Sequence, residues 1–173
     1  MRRYLILFAA ATLLAGCGKT GNTVSSSGQA ASLGSVSSSV TAPASPATAA
    51  SVAQSFGLIG RWALDCGQPA SPDNEYGVYT AAPDGSVGLT YDGGPTIEPN
   101  TYTYTAARLV GADAIEIDGV LLRTNVAQHT TLKKNGQGQM KVWGNVDGTG
   151  KVLVDQGSFP DGGGPAWESH CPG

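Results

Sequence analysis

Two histidines, His129 and His170, and two cysteines, Cys66 and Cys171, give this chain the composition of a Cys₂His₂ metal site. Their arrangement argues against one. His170 and Cys171 are adjacent, so in an extended segment their side chains point to opposite sides, and the separations fit no zinc pattern. His129 falls in "AQHTT", on the face opposite Val126 and Leu132, where a solvent-facing or hydrogen-bonded histidine is expected. Glu116 and Asp118 lie two apart on the outward face of a strand, which reads as a solvated face and not as an acid–base pair. The stretch "NVDGTGKVLVDQ", Asn145 to Gln156, places Asn145, Asp147 and Thr149 at the first, third and fifth positions of a calcium loop. Gln156 stands where that loop needs a glutamate, and the flanks read as strands, so a hairpin turn accounts for it. No G-x-S-x-G, H-E-x-x-H or C-x-x-C occurs in the folded part. The residues point to no catalytic centre, no metal and no cofactor, and the chain is not expected to be an enzyme.

The elements that hold these residues read as β throughout residues 56–173. Leu58, Trp62, Leu64 and Cys66 share one parity, Tyr102 and Tyr104 alternate with threonines, and Ile115 and Ile117 alternate with Glu116 and Asp118. Pro83-Asp84-Gly85 marks one turn, and Asn135-Gly136 marks a hairpin between arms that carry Leu132 and Met140. About eight short strands with tight links predict an all-β fold, a small antiparallel up-and-down barrel, with a two-sheet sandwich as the alternative. No segment shows a helical period. Residues 17–55 are dominated by Ser, Ala, Thr, Val and Gly, and predict a disordered tether. The formal net charge of −3 becomes about −5 without Arg2 and Arg3. An acidic module lacking a basic stripe is a poor partner for nucleic acid.

Residues 1–16 have the parts of an export signal: Arg2 and Arg3, an apolar run from Tyr4 to Ala15, then small residues before Cys17. That run is too short to span a bilayer as a helix. The "GKT" that follows lacks the glycine a phosphate loop requires, because Leu13 occupies its place. Leu14 to Cys17, "LAGC", resembles the lipobox of bacterial lipoproteins. The resemblance implies cleavage before Cys17, acylation of Cys17, and a membrane anchor through that lipid. It also implies the cell membrane as location, with Gly18 leaning the expectation towards the periplasmic face of the outer membrane. With Cys17 so used, Cys66 and Cys171 remain in an oxidising compartment, where one disulfide is the expected pairing.

Gly60-x-Trp62, Asp65-Cys66, the Pro69/Ser71/Asn74 region, the "VWG" strand and the closing Trp167…Cys171 are similar to a group of small exported bacterial proteins of unassigned function. Gly60-x-Trp62 also resembles the start of lipocalin-like barrels, where the tryptophan packs at the closed end. Trp62, Tyr102, Tyr104 and Trp143 are the candidates for lining a ligand cavity or filling the core; Tyr76, Tyr79, Tyr91 and Trp167 could serve either arrangement. The expected function is a tethered binding or interaction module that contacts another envelope protein or a cell-wall component. The alternative is a calycin-like carrier of a small apolar ligand.

Overall fold

The computed structural model describes residues 46–173. The expected signal peptide, the expected lipidation site Cys17 and the expected tether up to residue 45 lie outside the described residues. The strands are β1 (Gly60–Ala63), β2 (Tyr76–Ala81), β3 (Val87–Asp92), β4 (Asn100–Leu109), β5 (Ala114–Leu121), β6 (Val126–Lys134), β7 (Met140–Asp147), β8 (Val152–Val154) and β9 (Ser169–Cys171). They form a single antiparallel sheet in the order β8-β7-β6-β5-β4-β3-β2-β1-β9.

The sheet curls but does not close. Its two edges stand 19 Å apart, leaving a half-barrel of nine strands in place of the expected closed barrel of about eight, and among the described residues there is no second sheet to make a sandwich. Two features explain this. β8 has only three residues, too few to build a closing ladder. The edge of β1 that it would need is already taken by β9, through Arg61↔Cys171, Trp62↔His170 and Ala63↔Ser169. A disulfide between Cys66 and Cys171 holds β9 there. One bridge spans part of the opening: Met140 N–H donates to Glu168 O at 2.9 Å, and Glu168 N–H to Met140 O at 2.8 Å.

A short helix, α1 (Ala49–Phe56), plugs one end of the curl. Ala49, Ala50, Ala53 and Phe56 follow helical spacing and are buried with the sheet's core. Thr48 Oγ1 accepts from Ser51 N–H at 3.1 Å, capping the start. Gly57, at φ 69°, ends the helix in the left-handed region. Ala50 N–H donates to Gly85 O in the β2–β3 turn, and Lys134 Nζ donates to Phe56 O. The expectation of no helix is therefore corrected, and packed structure begins before Phe56.

The concave face carries Trp62, Tyr79, Leu89, Tyr104, Ile115, Ile117, Leu132 and Met140, all buried in one cluster with α1. Side chains alternate as the pleat requires, except where bulges intervene near Tyr104/Ala106 in β4 and opposite Thr131/Leu132 in β7. At the first bulge Gly119 lies so close to β4 that a Cβ would sit 2.2 Å from Thr103 O. Turn chemistry follows the sequence at Asp84, which accepts from Ser86 N–H at 2.9 Å. In the β6–β7 hairpin it differs. The positive φ falls on Gly138, at 76°, and Asn135 Oδ1 accepts from both Gln137 and Gln139 N–H. The loop is longer than a two-residue Asn-Gly turn.

Candidate functional site

The opening that the sheet fails to close forms a cleft of about 340 Å³. Its wall comes from both ends of the strand order: Met140, Val142, Asn145 and Val154 from β7 and β8, Tyr79 and Tyr91 from β2 and β3. Leu132 of β6 joins them, and the returning segment supplies Phe159 and Glu168. Leu132, Met140 and Tyr79 belong to the buried core, so the cleft is a continuation of the apolar interior with polar groups at one side. Such a combination is the usual make-up of a small-molecule site.

The polar groups are Glu168, the hydroxyls of Tyr79 and Tyr91, and Asn145, with Asp73 and Glu75 at the exposed rim. The backbone bridge to Met140 fixes Glu168 in place. Its side chain keeps some contact with solvent, yet burial together with the nearby charge of Glu75 raises its carboxyl to about 7. Burial pushes Tyr79 and Tyr91 well above the ordinary tyrosine value, neighbouring tyrosines and Glu168 adding to it. Both are neutral hydroxyls at physiological pH. Asn145 Nδ2 donates to Gln128 Oε1 at 3.0 Å, while Asn145 Oδ1 is buried and has no partner among the described residues. The site thus presents an apolar floor, two neutral hydroxyls and a carboxyl poised between its two states, with Lys141 also in the lining.

Of the aromatics expected to matter, the structure brings none of the four principal ones into the cleft wall. Trp62 is buried near α1, and its Nε1 donates to Leu58 O at 2.8 Å. His170 lies edge-on to it, 4.8 Å between centroids. Gly60 makes room there, since a Cβ would meet His170 Nε2 at 2.3 Å. Tyr104 is buried core, and Tyr102 is half-buried with its ring stacked on Tyr104 at 6.0 Å. Trp143 lies outside the core cluster, with Lys133 Nζ 4.8 Å and Lys141 Nζ 5.4 Å from its ring centroid. Tyr79 and Tyr91 are the aromatics that reach the cleft. Glu168 carried no sequence signal, because its importance arises only when the tail returns to β7.

The remaining candidates have structural places. Cys66 and Cys171 form the disulfide. His129 Nδ1 lies 2.6 Å from Asp118 Oδ1, and Glu116 pairs with Arg108, all on the outward face. Asp147 Oδ1 accepts from Thr149 N–H, Thr149 Oγ1–H and Lys151 N–H, so this carboxylate folds the β7–β8 turn instead of holding calcium. Among the described residues no group of three or more His, Cys, Asp or Glu side chains is placed to hold a metal ion. No family model, curated protein or solved structure matches the chain.

Proposed function

We propose that this protein is a binding protein of the cell envelope, anchored by lipid on Cys17, whose half-barrel carries a small, largely apolar ligand in the cleft. The single observation behind this reading is an apolar cleft continuous with the core and fringed by a few fixed polar groups. A surface meant only for docking another protein would not need the core to open into a recess. The lipobox-like Leu14–Cys17 supports the anchor, and at least two acyl chains on Cys17 would hold the chain firmly to a bilayer.

Native mass spectrometry on the full chain, released gently from its membrane, tests the carrier reading. It predicts a reproducible adduct of a few hundred daltons that disappears when Val142→Trp fills the cleft. A bare protein mass in repeated preparations would return the lead to an interaction module that contacts an envelope protein. Metabolic labelling with an alkyne fatty acid tests the anchor: label on the wild type and none on Cys17→Ser is expected.

A further inference from the structure

Resting on the cleft reading above, we propose that the ligand is an organic cation, its protonated amine held between Glu168 and Glu75 and its apolar body against Leu132, Met140 and Val142. The polar side of the cleft carries three carboxyl groups beside the two tyrosine hydroxyls. Asp73, Glu75 and Glu168 line it, and none of them appears in an ion pair among the described residues.

The cation of the lining, Lys141, is turned elsewhere. Its ammonium lies 5.4 Å from the Trp143 ring centroid and 5.0 Å from that of Trp167, and it donates to Gly157 O at 3.4 Å. An ammonium group supplies what is missing, positive charge and N–H donors for the carboxylates. A carboxylate or phosphate headgroup would meet the like charges of Asp73 and Glu75 instead, joined by Glu168 as it ionises.

The groups facing Glu168 are Tyr79 and Tyr91 from β2 and β3, Glu75 before β2, and Lys141 across the cleft on β7. The tyrosines are neutral and Lys141 is engaged, so Glu168 titrates against the ligand's own charge. Its carboxyl is about half protonated near pH 7 when the cleft is empty, and a bound ammonium holds it ionised. Amine affinity therefore falls on the order of a hundredfold from pH 8 to pH 5.

Isothermal titration calorimetry of the full chain with decylamine, decanol and decanoate, at pH 8 and pH 5, reads this out. At pH 8 decylamine is expected to bind at least tenfold tighter than decanol, with decanoate weakest. At pH 5 the amine's advantage over decanol disappears. Glu168→Gln removes both the preference and its pH dependence. Should that variant lose its far-UV circular dichroism, Glu75→Gln at the exposed rim replaces it, with a partial loss of preference expected. Decanol binding as tightly as decylamine, or a preference unchanged in the variants, overturns the cation assignment and leaves the cleft reading standing. If none of the three amphiphiles binds, the cleft reading fails and the cation assignment with it.

Discussion

Removing the Cys66–Cys171 bond is the perturbation whose size follows most directly from this architecture. The two cysteines are separated by 105 residues, so the bond closes nearly the whole folded part of the chain. Loop-closure entropy for that length gives about 4.8 kcal/mol at 25 °C. Across roughly 130 packed residues, at about 2.1 cal/mol/K each, a loss of that size lowers the melting temperature by about 18 °C. The double variant Cys66→Ser/Cys171→Ala avoids leaving a hydroxyl beside Ala63 and Tyr76, which pack with the buried Cys171. Differential scanning calorimetry of the variant, and of the wild type with and without reductant, supplies the comparison. A drop between 10 and 20 °C in both would agree with the entropic account on the order expected. A drop of under about 5 °C would refute it, showing that β9 is held by its pairing with β1 and that the unfolded chain gains little freedom when the bond is cut.

Four further outcomes are expected. Gly119→Ala should destabilise the protein by about 1–3 kcal/mol in urea unfolding, because the added Cβ runs into Thr103 O and Tyr104. Leu132→Ala should cost about 2–5 kcal/mol, since this side chain is 1% exposed and joins the core to the cleft; a loss below 1 kcal/mol would mean that the site collapses around the missing atoms. Glu168 sets a pH dependence of opposite sign to that of the turn carboxylates Asp84 and Asp147. Its folded value is raised to about 7 from an ordinary 4.5, so the folded state holds the proton more tightly and stability falls as pH rises through that window. The melting temperature of wild type minus that of Glu168→Gln should therefore decline between pH 4.5 and 7 and level off above. A flat difference would show that the carboxyl is fully hydrated. Asp84 and Asp147, both held below the usual range by hydrogen bonds from Ser86 and Thr149, contribute stability that is lost only as pH falls below about 4.

Strand positions were legible because alternation is a local property. Ile115 and Ile117 against Glu116 and Asp118 is enough to place β5 and its buried face. The disulfide followed once Cys17 was assigned elsewhere. What could not be read locally was closure. Whether the last strand reaches β1 depends on β8 being only three residues long and on a tail segment occupying that edge first. The helix was hidden by composition, since Ala49–Phe56 shares its Ser/Ala content with the tract before it. A capping threonine at Thr48 and a terminating glycine at Gly57 were its signals.

The cleft was the least legible part. Trp62, Tyr102 and Tyr104 drew attention as large aromatics, yet they pack towards α1 or against each other. The bulge in β7 leaves Trp143 outside the core cluster and places Asn145 in the cleft wall. Glu168 gains its role only from the bridge to Met140, nearly thirty residues away in sequence.

The central claim is that the opening in the sheet holds the ligand. Methyl-labelled NMR of the full chain during a decylamine titration tests it most directly. The account predicts saturable shifts at the methyls of Leu132, Met140 and Val142, which line the cleft, and none at the exposed Leu109 and Leu122. Shifts confined to Leu109 and Leu122, with the cleft methyls unmoved, would contradict it.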